Sequence, residues 1–112
     1  MAQALFNIQN NYPGVHYLLF DGEPHNSSYT NYTTESNVHC VLFQEEQAGF
    51  LAGYAAVTDG YTQLGFIGAE EIPGVVRYVT GFLQGAEYAA EQQGLTVDLR
   101  TWFAGTYSAS DD

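Results

Sequence analysis

Hydrophobic and polar positions follow two periods along this chain. Residues 44–57 have helical spacing and are rich in small side chains: Ala48, Gly49, Ala52, Gly53, Ala55 and Ala56. The turn Thr58-Asp59-Gly60 leads into a strand-like run over 63–68, and a second turn, 70–74, opens a helical stretch over 75–93. In that second stretch Val75, Val79, Phe82, Ala86 and Ala89 recur at intervals of four and three residues, which is one face of a helix. Helix, strand and helix in this order make the centre of a parallel α/β layer, so both helices are expected to cover its sheet. An interior glycine costs about 1 kcal/mol relative to alanine. Gly49 and Gly53 are therefore expected to press at short distance against the sheet, or against the neighbouring helix.

The flanks extend this pattern. Ala4, Leu5 and Ile8 have helical spacing, and Tyr12-Pro13-Gly14 stops that helix because proline cannot continue it. Residues 15–20 (Val-His-Tyr-Leu-Leu-Phe) are almost unbroken in apolarity, as in parallel strands covered on both faces. Asp21-Gly22 follows at the carboxyl end of this run, where open α/β sheets gather ligands. Residues 23–36 are polar and read as a loop, and 37–43 are rich in β-favouring side chains. In 96–103, Val97, Leu99, Thr101 and Phe103 alternate with Asp98, Arg100 and Trp102. The reading is an α/β fold with parallel strands at 15–20, 37–43, 63–68 and 96–103 and helices at 44–57 and 75–93. Serine and aspartate close the chain at 108–112 with helix-capping chemistry, so it is expected to be a piece of a longer protein.

Composition narrows the possible partners. The chain of 112 residues is long enough for one small core and too short for two full lobes. Hydrophobic residues make up 46%, which opposes disorder despite a net charge of −11. Arg77 and Arg100 are the only Lys or Arg residues. A nucleic-acid surface needs clustered cations, as does a basic face for anionic lipid, so both partners are excluded. Cys40 is alone and cannot form an intrachain disulfide. No apolar run approaches a membrane span, and residues 1–12 lack the basic and apolar regions of a secretory signal.

Most candidate chemistry fails on geometry. Glu45 and Glu46 are neighbours on a helix and diverge by about 100°, so they cannot share a catalytic site. Acids in a first turn favour the helix dipole, and this reading also suits Glu70-Glu71 before Pro73. His39 and Cys40 point to opposite faces of a strand, so together with His16 and His25 they do not form a metal site. Gly65-x-x-Gly68 echoes a dinucleotide fingerprint, but its first glycine lies inside the strand and no third glycine opens the helix. No Gly-x-Ser-x-Gly is present. No catalytic residue, metal or cofactor is expected, and Asp21 stands as a turn residue or a ligand contact.

An ordered series of motifs then points to one family. Phe43-Gln44-Glu45-Glu46-Gln47-Ala48-Gly49-Phe50-Leu51-Ala52-Gly53 resembles the Phe-x-Glu-Glu-x-Ala-(aromatic)-Leu-Ala-Gly stretch of the basic membrane protein family. These are the substrate-binding lipoproteins of nucleoside ABC transporters. Leu64-Gly65-Phe66-Ile67-Gly68, Ile72-Pro73 and Gly81-Phe82-Leu83-Gln84-Gly85 match its next motifs in order. Tyr12-Pro13-Gly14-Val15, Phe20-Asp21-Gly22 and Gly105-Thr106-Tyr107-Ser108 are similar to flanking segments. Ala69 replaces a glycine of the family pattern, and Gly-Thr-Tyr stands for Gly-Ser-Phe. The family's lipidated signal and amino-terminal aspartate-rich segment have no counterpart here.

The resemblance implies a type I periplasmic-binding-protein fold, with residues 1–43 ending a first lobe and 44–112 beginning a second after a hinge. It implies capture of a purine nucleoside or similar small solute, delivery to an ABC permease, and a membrane-anchored, extracytoplasmic parent. It also assigns Asp21 to the ribose hydroxyls and Tyr107 to the base. The alternatives are a flavodoxin-like or Rossmann-type enzyme fragment with a nucleotide cofactor, or a structural piece without activity.

Overall fold

Two buried carboxamides hold the first part of the chain together. The computed structural model describes residues 1–106, and the chain divides into two units, Met1–Phe43 and Gln44–Asp112. In the first, helix α1 (Ala2–Ile8) packs Leu5 on Leu19 and Val38, with Ala2, Tyr17 and Cys40 around them. Strands β1 (Tyr17–Phe20) and β2 (Val38–Val41) pair in parallel, from Tyr17↔Val38 to Phe20↔Val41. A crossover helix usually joins such a pair; here the polar segment 21–37 makes the return without one.

Gln9 and Asn37 fasten that return. Gln9 is 1% exposed; its Nε2 donates to the Thr33 carbonyl at 2.9 Å, and its Oε1 accepts from the Glu35 amide at 3.2 Å. The Nδ2 of buried Asn37 donates to the carbonyls of Gln9, Tyr12 and Val15 at 3.1, 3.2 and 2.9 Å. Burying a carboxamide is tolerable only with such partners. This arrangement also shortens the predicted strand: the Val15 amide turns back to the Tyr12 carbonyl, so β1 begins at Tyr17 rather than at 15. At the other end β2 stops at Val41, leaving Leu42 and Phe43 exposed.

The second unit contains helix α2 (Glu45–Thr58), strand β3 (Gln63–Gly68), helix α3 (Pro73–Gln93) and strand β4 (Asp98–Phe103). Pro73 opens α3 two residues earlier than the apolar spacing suggests, because its fixed φ suits a first helical turn. Gly94 ends it at φ +64, with Gly94 N–H on the Glu91 carbonyl and Leu95 N–H on the Ala90 carbonyl. These are the paired bonds of a Schellman cap.

The glycines of α2 face the neighbouring helix rather than the sheet. A Cβ at Gly49 or Gly53 would collide with the carbonyl of Tyr78 or Phe82 on α3. The contact is reciprocal, because Gly81 and Gly85 of α3 meet the backbones of Glu46 and Phe50. The buried stripe of α2 is Glu45, Gly49, Gly53 and Val57, a repeat of four. Opposite it runs Arg77, Gly81, Gly85 and Ala89 with the same spacing. Four-residue ridges on both helices are the usual basis of close crossing.

The sheet is covered by the far end of this seam. Leu64, Val97 and Leu99 pack on Val57, Ala86, Ala89 and Ala90, and Phe66 meets Phe82 at 6.0 Å between ring centres. The predicted Val75–Ala89 face thus does lie on the strands, which pair in parallel from Gln63↔Asp98 to Gly68↔Phe103. The strands form two separate pairs, one in each unit. The cover on both faces expected of 15–20 is not present among the described residues, and the second pair of strands also has an open face. In the first unit Leu18 and Phe20 are 57% and 62% exposed; in the second, register partners Ile67 and Trp102 are 80% and 68% exposed.

Alanine normally improves a helix by about 1 kcal/mol over glycine. At Gly53 or Gly85 it should instead destabilise by about 1–3 kcal/mol through overpacking, and Gly53→Leu by more. Gly14, with open space around its Cβ position, serves as the control and should tolerate alanine. Urea unfolding followed by far-UV circular dichroism measures this, and an unchanged midpoint for Gly53→Ala and Gly85→Ala would dismiss the contact.

Candidate functional site

Asp21 stands one residue beyond β1, where the chain leaves the sheet. Its amide still donates to the Val41 carbonyl at 2.8 Å, so the ladder fixes its backbone. Its φ is +57°, a left-handed conformation that aspartate adopts more readily than most residues. The side chain is exposed, and among the described residues its carboxylate has neither ion pair nor hydrogen bond. An acceptor held by a strand end and left open can receive hydroxyl donors from a ligand.

The corresponding carboxyl end in the second unit continues past Gly68 and Phe103. The Ala104 amide donates to the Gly68 carbonyl at 2.9 Å and that of Gly105 to Ala69 at 2.7 Å. Gly105 then turns at φ +76°, a conformation that favours glycine. Tyr107, the residue assigned to the ligand base, lies outside the described residues.

The acidic pair at the start of α2 divides as its helical geometry requires. Glu46 is exposed, while Glu45 is buried and engaged by Arg77: Nε to Oε2 at 2.8 Å and Nη2 to Oε1 at 3.3 Å. This two-point contact, with the arginine 37% and the carboxylate 7% exposed, goes beyond a helix-dipole role for Glu45. The hydrogen bond from Arg77 holds the Glu45 carboxyl below its ordinary pKa, against the opposing effect of burial. Sequence reading missed the pair because its members lie 32 positions apart. The sequence signal was the scarcity of cations: one of two arginines is placed within reach of a buried acid.

Other candidates resolve plainly. His16 and His39 are exposed, Cys40 is half-buried, and no group of three or more metal-ligating side chains forms among the described residues. A groove of about 380 Å³ on α2 and α3 is lined by Glu46, Gln47, Phe50, Leu51 and Gln84. No helix among the described residues is long and apolar enough to cross a membrane.

Comparison with protein families finds a match over residues 1–108 to the model described as ABC transporter substrate-binding protein PnrA-like. The chain belongs to that family. Among solved structures it is similar to a crystal structure of ABC transporter system solute-binding proteins from Aeropyrum pernix K1, with a TM-score of 0.66 and 22% identity. The alignment covers 90% of this chain and 28% of that one, so the chain spans under a third of the solved relative. At this identity the likeness concerns the fold: a parallel-strand α/β portion of a solute-binding protein. No protein of curated function matches. In this chain the stretches 43–53 and 81–85 mark helix contact: Gly49, Gly53, Gly81 and Gly85 are where the two backbones meet.

The Glu45–Arg77 pair sets an acid limit on stability. A folded-state pKa below the ordinary 4.5 gives stability that is present above that value and lost as pH falls through the folded one. Glu45→Gln should cost about 1.5–3 kcal/mol at neutral pH and flatten the acid limb. Urea midpoints measured from pH 7 downward for both proteins test this, and parallel curves would exclude the pair as the cause.

Proposed function

We propose that this chain contributes to the substrate-binding component of an ABC transporter, which captures a purine nucleoside or a similar small solute between two lobes. Residues 1–43 end the first lobe and 44–112 begin the second. The parent protein is extracytoplasmic, anchored as a lipoprotein, and hands its solute to a permease. Binding and release are the whole of its chemistry, so it is not an enzyme and needs no cofactor.

One observation carries the ligand assignment: the carboxylate of Asp21 is unpartnered at the end of β1, on a backbone fixed by the Val41 carbonyl. Sheets of this class gather ligands at such strand ends. A carboxylate there can accept both ribose hydroxyls, and charged hydrogen bonds are worth roughly 1.5–3 kcal/mol. Tyr107 supplies the stacking surface for the base in the same reading; base–aromatic stacking is worth about 1–3 kcal/mol per base. Membership of the PnrA-like family supports a solute-binding role over the enzyme alternative.

Asp21→Ala in the full-length protein is expected to weaken nucleoside binding by about ten- to a hundred-fold. Asp21→Asn should weaken it less, because asparagine keeps an acceptor and tolerates the left-handed backbone. Calorimetric titration of adenosine, guanosine, inosine and uridine into the wild type and both variants is the measurement. Equal affinities would remove Asp21 from the site. A wild type that binds none of the four would remove the nucleoside assignment.

A further inference from the structure

The polar return from β1 to β2 contains two Asn-x-Ser/Thr tripeptides, Asn26-Ser27-Ser28 and Asn31-Tyr32-Thr33. Such a tripeptide is the acceptor signal for N-linked glycosylation when it lies on an exposed loop outside the cytoplasm. We infer that Asn31 is an acceptor for an N-linked glycan and that Asn26 is not. The inference uses the extracytoplasmic part of the proposed function and goes beyond its solute-binding role.

The two asparagines differ in how their amides are used. Asn26 is half-buried and organises the loop. Its Oδ1 accepts from the amides of Thr30 and Asn31 at 2.9 and 3.2 Å, and its Nδ2 donates to Thr30 Oγ1 at 2.9 Å. The hydroxyl of its own tripeptide, on Ser28, is turned to Thr30 Oγ1 at 3.0 Å. Glycosylating Asn26 would require breaking the bonds that shape the loop.

Asn31 is exposed, and its Nδ2 has no partner among the described residues. The hydroxyl of its tripeptide, Thr33 Oγ1, donates to Asn31 Oδ1 at 3.2 Å. The backbone on either side is held without using that amide: Asn26 N–H donates to the Asn31 carbonyl at 3.0 Å, and Thr33 N–H to the Pro24 carbonyl at 3.1 Å. Tyr32, between them, sits against His25 at 5.5 Å between ring centres. The loop therefore presents the acceptor nitrogen to solvent beside its hydroxyl.

The reaction joins Nδ2 of Asn31 to the anomeric carbon of a polyprenyl-phosphate-linked oligosaccharide. The new C–N bond forms as the sugar C–O bond breaks. The electron pair leaves on the lipid phosphate, and one amide proton passes to a base of the transferase.

The test uses folded full-length protein, a polyprenyl-linked oligosaccharide and a single-subunit oligosaccharyltransferase that requires only the tripeptide. Glycopeptide spectrometry of the segment 21–37 should find one glycan there, at Asn31. Asn31→Gln and Thr33→Ala should lose it, while Thr33→Ser and Asn26→Gln retain it. Unmodified wild type, or a glycan mapped to Asn26, would overturn the inference. A second arm examines protein from its own cells, with protease accessibility from outside establishing location. A glycan at Asn31 on accessible protein supports the inference, and bare Asn31 on accessible protein overturns it in the cell. Protein protected in the cytoplasm refutes the extracytoplasmic reading instead, and the first arm still decides whether Asn31 is a competent acceptor.

Discussion

Backbone-to-backbone contact between α2 and α3 is the constraint on which the second unit depends. Gly49 and Gly53 leave room for the carbonyls of Tyr78 and Phe82, while Gly81 and Gly85 leave room for Glu46 and Phe50. With both helices stripped to backbone at the crossing, neither can rotate without driving a side chain into its partner. The fixed rotation then assigns the two ends of the seam. One end closes with Glu45 on Arg77, and the other with Val57 beside Ala86, Ala89 and Ala90 over β3 and β4. The ion pair, the glycine contact and the apolar core are successive turns of the same two stripes.

The first unit uses the opposite means. Its apolar core is small, and the long return between its strands has no helix to bury. Gln9 and Asn37 supply what apolar packing does not, by joining the turn after α1 to the end of the return. Their bonds are directional, so they set the start of β2 and hence its register on β1. The open position of Asp21 follows from that register, through its amide bond to Val41.

The elements were legible in the sequence because their signals are local. Apolar spacing placed the helices and strands to within a few residues, and the Val75–Ala89 face was found on the strands. Glycine spacing announced a close contact with the sheet or the neighbouring helix, and the partner is the helix. A glycine stripe carries no apolar side chains, so periodicity alone could not tell which surface it met. The asparagine-centred loop, the Gln9–Asn37 bonds and the Glu45–Arg77 pair were invisible for a different reason: polar side chains reveal their partners only after folding. Of the candidate site, the strand end carrying Asp21 could be read directly, because it depends on where an apolar run stops. Its unpartnered carboxylate and left-handed backbone could not.

The placement of the two arginines has a consequence for proteolysis. The sequence contains no lysine, and its two arginines lie in α3 and β4 rather than in a connecting segment. Trypsin therefore has no target in the polar return 21–37, however accessible that segment is. Cleavage after Arg77 requires the first turns of α3 to open and release Glu45, and cleavage after Arg100 requires β4 to leave β3. When opening and closing are fast relative to cleavage, the rate follows the population of the opened form. Within this chain, trypsin becomes a reporter of opening in the second unit and is blind to the first.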